Sequence, residues 1–319
     1  MKRIGVLTSG GDAPGMNAAV RAVARSAMSA GLEVVAIRKG YSGLLNNNMF
    51  LMEPKSVSDI LHRGGTFLQT ARCLEFKEEA GVLKGVENAK KMGIEGLVVI
   101  GGDGSFRGAR DLSLHGIPTI GVPATIDNDI SCTEYCIGYD TALDTAKDAI
   151  DRIRDTCRSH ERCSIIEVMG HGAGYIAATI AVACGAEAAI VPEREYDLNE
   201  IIENIKKGKK NGKEFNLIVV SEGICDVIAM AKKIEDETGI ETRATILGHI
   251  QRGGSPTVRD RVTATRMGIH AVELLKKGIG NRVVAVKRDE IVDYDILEGL
   301  NMKKDFDDEF VRVAKMLSM

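Results

Sequence analysis

Tryptophan is missing from this chain of 319 residues, and aromatic residues amount to 4% of it. With so few rings there is no platform on which unpaired bases would stack, and the core has to be filled by Ile, Val, Leu and Ala. A basic excess is missing too. The 42 Lys and Arg against 45 Asp and Glu leave a formal charge of -3, so nothing in the charge points to nucleic acid. The seven cysteines make no C-x-x-C pair, and Cys132 and Cys136 have no His-rich partner nearby. Reduced or buried thiols are therefore expected rather than a metal site. No run approaches the ~18 apolar residues of a membrane span, and the opening MKRIGVLTSGGD lacks the long apolar stretch of a signal peptide. The chain is expected in the cytoplasm, with neither membrane nor nucleic acid as a partner.

Glycine, by contrast, is plentiful at 35 residues and clusters in pairs. Paired glycines mark places where backbone approaches a neighbour or a ligand closely. Strands are expected at 3–9, 33–38, 96–102, 119–124, 163–169, 188–193, 217–223 and 243–249. Helices are expected at 15–30, 141–158, 175–184, 198–210 and 259–277. Continuous apolar strands alternating with helices imply parallel sheets covered on both faces. The fold class is therefore α/β, doubly wound, with mostly parallel sheets. So many strands call for two sheets, dividing near Gly138 and Tyr139. In such sheets ligands bind beyond the carboxyl ends of the strands, which is where the glycines and polar residues gather in this chain.

TSGGDAPGMNAAV (8–20) is a Gly-rich turn opening a helix, whose first N–H groups attract anions. GGDGS (101–105) is a second such turn. Gly104 leaves room for a polyphosphate, and Asp103 is placed to hold Mg²⁺ directly or through water. Either turn alone would serve equally as a capped βα connection; two in one α/β chain favour phosphate. Neither matches GxxxxGK[ST], so this is not a P-loop. TIDND (125–129) offers a base. Phosphoryl transfer to a hydroxyl needs a carboxylate within reach of the hydroxyl proton and cations against the moving charge. Alternation along an extended segment would set Asp127 and Asp129 on one side; an Asx turn is the plain alternative. SHER, MGHGAGYIA, SEG and GHIQRGGSP add His160, Arg162, His171, Glu222, His249 and Arg252. As a group they suit a polar, phosphorylated substrate. A rival reading exists. Gly172, Gly174 and Ala177 fit G-x-G-x-x-A after a strand, and Glu193 ends a later one. That is the dinucleotide fingerprint of an NAD-dependent dehydrogenase, but it accounts for neither GGDGS nor TIDND. A catalytically weak regulatory protein is the third alternative.

GGDAPGMNA, GGDGS, TIDND, SHER, MGxxxG and GHxQRGG occur in the order and spacing of the bacterial phosphofructokinase family, which the chain resembles over nearly its whole length. The resemblance implies transfer of the γ-phosphate of ATP to the 1-hydroxyl of fructose 6-phosphate, a step of glycolysis, with Mg²⁺ as cofactor. It implies a larger ATP-binding lobe of residues 1–138 plus 251–301 and a smaller sugar-phosphate lobe of 139–250 plus 302–319. Gly11, Arg72, Cys73, Gly102, Asp103, Gly104 and Ser105 match the family's nucleotide and metal positions. Asp127 matches the general base, with Thr125 and Asp129 beside it, and Arg72 faces the transferring group. Arg162, Met169, Gly170, Glu222, Arg243, His249 and Arg252 match the sugar-phosphate positions. In the family, the arginines at 162 and 243 reach across from a neighbouring subunit, so a homotetramer is implied. An effector site for ADP or phosphoenolpyruvate is matched by Arg21, Arg25, Ser58, Asp59, Arg154, Gly185, Glu187 and Lys213.

The chain departs from the family in four places. His171 stands where the family motif reads M-G-R; arginine is always charged and forks to two oxygens, whereas histidine is charged only partly near pH 7. Ala124 stands where ATP-dependent members have Gly, though the pyrophosphate-using branch has Lys there and Asp at the position of Gly104. Pro54 and Asn211 replace basic residues of the effector site, with Lys55 next to the former.

Overall fold

The computed structural model describes residues 1–317. Ser318 and Met319, the end of the expected smaller lobe, lie outside the described residues. The chain opens with β1 (Arg3–Thr8), α1 (Met16–Ser29), β2 (Glu33–Ile37), α2 (Gly40–Leu45), β3 (Met49–Leu51) and α3 (Glu79–Lys91). It continues through β4 (Gly96–Gly101), α4 (Asp103–Leu114), β5 (Thr119–Pro123), α5 (Tyr139–Ser159), β6 (Cys163–Val168) and α6 (Tyr175–Ala183). Then come β7 (Ala188–Ile190), α7 (Leu198–Lys210), β8 (Asn216–Ser221), α8 (Val227–Thr238), β9 (Thr242–Ile246) and α9 (Val258–Lys276). The chain closes with β10 (Arg282–Lys287), β11 (Glu290–Asp295), α10 (Ile296–Asn301) and α11 (Asp308–Leu317).

Met1–Ile126, Ile130–Thr141 and Arg252–Lys304 form one compact unit. Its seven-stranded sheet runs β11-β10-β5-β4-β1-β2-β3. The five inner strands are parallel, and β3 and β11 close the edges antiparallel. Alternation divides the apolar side chains between two faces. Leu7, Val35, Ile37, Leu97 and Val99 join a core with Val82 and Val86 of α3 and Phe106 and Leu112 of α4. Their neighbours Ile4, Val6, Val34, Val98 and Ile100 are fully buried on the opposite face, where α1 and α9 pack on β1, β4 and β5 and on each other. Small residues let those two helices close up without aromatic filling: a Cβ on Gly268 would stand 2.8 Å from Ala22 Cβ and 3.0 Å from the Ala19 carbonyl.

Asp127–Asp129, Ala142–Gln251 and the described residues from Asp305 onward form the other unit. Its four strands, in the order β7-β8-β6-β9, are all parallel. Cys163, Ile165, Ile218 and Val220 meet Ile202 and Ile205 of α7 and Val227, Met230 and Ile234 of α8. On the other side α6 and α11 pack against one another and on β7. In both units the inner strands are buried on both faces, which is why they read as nearly unbroken Val and Ile runs. Among the described residues no helix is long and apolar enough to cross a membrane.

Candidate active site

In the first unit two strand-to-helix turns lie side by side. The Ser9 N–H donates to the Ile100 carbonyl at 2.9 Å, and the Ala124 N–H donates to the Gly101 carbonyl at 3.0 Å. Ser105 is buried, and its Oγ would stand 2.6 Å from a Cβ on Gly101 and 3.4 Å from one on Gly10. The first turn has its glycines for reasons internal to the fold. Gly15 caps α1 with φ of 100°. A Cβ on Gly11 would stand 2.3 Å from Nη1 of Arg252, whose guanidinium also donates to the Asp12 carbonyl at 3.5 Å.

The second turn differs. Gly102 has an extended backbone, neither Gly102 nor Gly104 needs a left-handed φ, and a Cβ on either would meet nothing within 4 Å. Folding does not require glycine at these two positions. They leave bare backbone at the start of the 12-residue helix α4, where unpaired N–H groups and the helix dipole favour an anion. Asp103, the first residue of α4, is about half exposed, and Nη2 of Arg107 donates to its carboxylate at 3.0 Å. Hydrated Mg²⁺ takes one or two carboxylates together with phosphate oxygens. Asp103 is one such carboxylate, and no group of three His, Cys, Asp or Glu residues able to cage an ion occurs among the described residues. The donor set fits a metal that arrives with its polyphosphate. Arg72 is exposed and has no hydrogen bond or ion pair among the described residues; Cys73 is half-buried against the core. Thr125 follows β5 directly after the buried Ala124.

TIDND, whose Asp127–Asp129 belong to the second unit, is not extended. Ile126 and Asp127 lie in a turn, and Asn128 has φ of 54°, a left-handed conformation that asparagine tolerates. The alternation expected for Asp127 and Asp129 is therefore broken. Asp127 is 6% exposed, while Asp129 is half-buried. After β6 the backbone of 169–174 is stitched by side chains from neighbouring strand ends. The Gly170 and His171 N–H groups donate to Oε1 of Glu222 at 3.1 and 2.9 Å. The Met169 N–H donates to Oε1 of the buried Gln251 at 2.9 Å, and the Ser221 hydroxyl donates to the Ala173 carbonyl at 3.1 Å. His171 is exposed with φ of 51°. The motifs alone do not single out Gln251 and Ser221, although GHIQRGGSP holds the one and SEG the other.

Arg162 and Arg243 converge on one acid. Arg162 pairs with Glu241 at 2.7 Å, and Arg243 pairs with the other oxygen of the same carboxylate. Hydrogen bonds from Arg162 and then Arg243 hold that carboxyl below the usual range. His249 is exposed in the 3-10 turn Gly248–Arg252, and His160 is exposed after α5.

The effector-type residues fall into two groups, one in each unit. On the first, Nη2 of Arg25 donates to the Ser58 hydroxyl at 3.5 Å, Arg21 stands on the same helix, and Asp59 pairs with Arg63 at 2.8 Å. Pro54 opens a short 3-10 turn, and Lys55 pairs with Glu53 at 2.9 Å. On the second, the Arg154 guanidinium donates to the Cys184 carbonyl next to Gly185, and Lys213 pairs with Glu187 at 2.8 Å. Burial pushes the Glu187 carboxyl up, and Lys213 opposes it.

The dinucleotide-like run resolves differently from its expectation. Glu193 does not wait for a ribose: its Oε1 accepts the Gly174 N–H at 2.9 Å at the start of α6. A Cβ on Gly174 would stand 2.5 Å from Oε2 of Glu193 and 2.5 Å from Cβ of Val191. The place a pyrophosphate would take against this helix is filled by the chain's own carboxylate, so nothing here supports the dehydrogenase.

Comparison with known proteins bears on the family and the fold. The family model described as phosphofructokinase matches residues 3–275. The chain is 56% identical over 318 residues to an ATP-dependent 6-phosphofructokinase of Clostridium novyi (strain NT), with 100% of both chains covered. It is 54% identical over 319 residues to that of Bacillus subtilis (strain 168), again covering 100% of both. The solved structure of phosphofructokinase from Saccharomyces cerevisiae superposes with a TM-score of 0.87 at 33% identity, over 94% of this chain and 45% of that one. The family model over residues 3–275 and relatives matched over their full length show that this chain belongs to the phosphofructokinase family.

Proposed function

We propose that this chain transfers the γ-phosphoryl group of ATP to the 1-hydroxyl of fructose 6-phosphate, giving fructose 1,6-bisphosphate and ADP. The observation that carries the reading is the bare backbone of Gly102 and Gly104, where an added Cβ meets nothing within 4 Å. Such a stretch at a helix start is a seat for polyphosphate. Full-length relatives named ATP-dependent 6-phosphofructokinases support the donor and the acceptor.

In this reading Gly11, Gly102, Gly104 and Ser105 line the phosphate chain, and Cys73 flanks the nucleotide. Arg72 supplies a cation free of other partners to the transferring group. Asp103 is the protein ligand for Mg²⁺, which when bound neutralises phosphate charge. Asp127 accepts the proton of the 1-hydroxyl as its oxygen bonds to the γ-phosphorus and the bond to the β-phosphate breaks; Thr125 and Asp129 hold the turn that presents it. Arg162, Arg243, His249 and Arg252 bind the 6-phosphate by charge-assisted hydrogen bonds. Met169, Gly170, His171 and Glu222 line the sugar. Gly104 and Ala124 favour ATP over pyrophosphate, whose users carry Asp and Lys there. We further propose a homotetramer, in which Arg162 and Arg243 serve a neighbouring subunit. Cytoplasmic location in glycolysis and effector binding of ADP or phosphoenolpyruvate at Arg21, Arg25, Ser58, Asp59, Arg154, Gly185, Glu187 and Lys213 complete the proposal.

The test is a coupled assay with fructose 6-phosphate and either ATP or pyrophosphate in the presence of Mg²⁺. Turnover with ATP is expected. Turnover with pyrophosphate alone, or with neither donor, overturns the reading.

A further inference from the structure

Asp260, on the first turn of α9, is fully buried, and its side-chain hydrogen bonds go to Tyr135, Gly138 and Thr141, none of which is assigned to a substrate. A buried carboxylate is costly unless every lone pair is used. Each of its oxygens accepts two hydrogen bonds. Oδ1 accepts the Gly138 N–H at 2.8 Å and the Tyr135 hydroxyl at 2.8 Å. Oδ2 accepts the Thr141 N–H at 2.9 Å and the Thr141 hydroxyl at 2.5 Å. The Arg259 guanidinium lies over the Tyr135 ring at 4.2 Å, and the Thr257 N–H donates to the Thr141 hydroxyl at 3.1 Å. One side chain thus fixes the whole segment from Tyr135 to Thr141.

That segment seats the first glycine turn and the end of β5. A Cβ on Gly138 would stand 2.7 Å from Ala13 Cβ and 3.2 Å from the Pro14 carbonyl; one on Gly15 would stand 2.6 Å from Ile137 Cγ2. Ile137 also donates its N–H to the Pro123 carbonyl at 3.1 Å and bridges Ala124, the residue before Thr125. The first turn and the entry to TIDND therefore rest on a surface whose place Asp260 sets.

We propose that Asp260 is a positioning residue for phosphoryl transfer, holding Tyr135–Thr141 so that the GGDAPG turn and Ala124–Thr125 keep their place. This rests on the proposed kinase function. Phosphoryl transfer depends on positioning, and misplacement by about 1 Å costs about a hundredfold in rate.

The test uses Asp260→Asn, Thr141→Val and Thr141→Ser in the full chain. Hydroxyls can turn and accept, but the Gly138 and Thr141 N–H groups cannot. They need two acceptor oxygens, and asparagine has one, so its NH₂ must face a backbone donor. For folded Asp260→Asn, assayed well below its melting temperature, kcat is expected to fall at least tenfold and the affinity for Mg²⁺ATP without sugar at least several-fold. Thr141→Val should lose less, and Thr141→Ser, which restores the hydroxyl, should keep at least half the wild-type kcat. A purely structural role would lower melting temperature and leave kcat and affinity of the folded enzyme unchanged; that result overturns the proposal. So does Thr141→Ser losing as much kcat as Thr141→Val. Where Asp260→Asn does not fold, the Thr141 pair decides. Wild-type protein without sugar-kinase turnover would sink the functional reading instead, and Mg²⁺ATP affinity across the variants would still decide this one.

Discussion

The two units each carry a glycine-rich passage from strand to helix, and they use it oppositely. At β4–α4 the side-chain space beside Gly102 and Gly104 is open to 4 Å. At β6–α6 the space is occupied from within: Gly170 faces the Ala173 carbonyl, Gly174 faces Glu193 and Val191, and Glu222 caps the Gly170 and His171 N–H groups. In the first passage the acid, Asp103, turns outward; in the second the acids turn in and brace the loop. Glycine at a strand end is thus no evidence of a ligand by itself. Open space, with no left-handed φ to explain the residue, is the better mark.

The largest effect should come from a buried acid of the second unit, Asp127. If all that unit's carboxylates were braces, removing Asp127 would cost stability and little else. As the base, Asp127→Ala should lower kcat by about 10³-fold with fructose 6-phosphate KM changed far less, measured by coupled assay alongside a melting curve. Next in size is a pair that sets open against filled. Gly104→Asp should leave the melting temperature in place and cut kcat/KM for ATP by about a hundredfold, since a like charge against phosphate costs several kcal/mol. Gly174→Ala should do the reverse, costing about 1–3 kcal/mol of stability through overpacking with little change in ATP KM. Equal melting temperatures for these two variants would erase the distinction.

Glu193→Ala sharpens it further. Losing the acceptor of the Gly174 N–H should cost about 1–2 kcal/mol in a chemical denaturation curve, and Glu193→Gln should recover most of that. Added NAD should shift neither curve, because the helix start of α6 is occupied by the chain itself.

The parallel core was readable because strands buried on both faces show as Val and Ile runs: β1, β2, β4, β5, β6 and β8 all do. The edges were not. β3 has three residues, and β11, EIVDYD, is half-buried and antiparallel, so neither gives a continuous apolar signal. β10, RVVAVK, does carry that signal, though it is not among the strands expected from the sequence. At the site, residue types at strand ends were legible, but conformation and partners were not. Nothing in the period of TIDND shows that Asn128 turns left-handed. Nothing in GHGAG distinguishes a turn that waits for pyrophosphate from one already closed by Glu193, since both need the same glycines.

His171 gives the smallest effect and the finest cut through the comparison. It projects from the stitched loop, yet its side chain is exposed and its own backbone N–H is already held by Glu222. The bracing therefore involves the main chain at 171 and leaves the side chain exchangeable. An arginine there would carry a full charge across neutral pH and two forked donors, where histidine carries a partial charge and one useful donor. His171→Arg should leave the melting temperature unchanged and raise kcat about two- to fivefold at pH 8, because arginine brings a permanent charge and a fork of donors. A drop in stability would mean that the side chain belongs to the brace. An unchanged kcat would mean that position 171 does not face the moving phosphate.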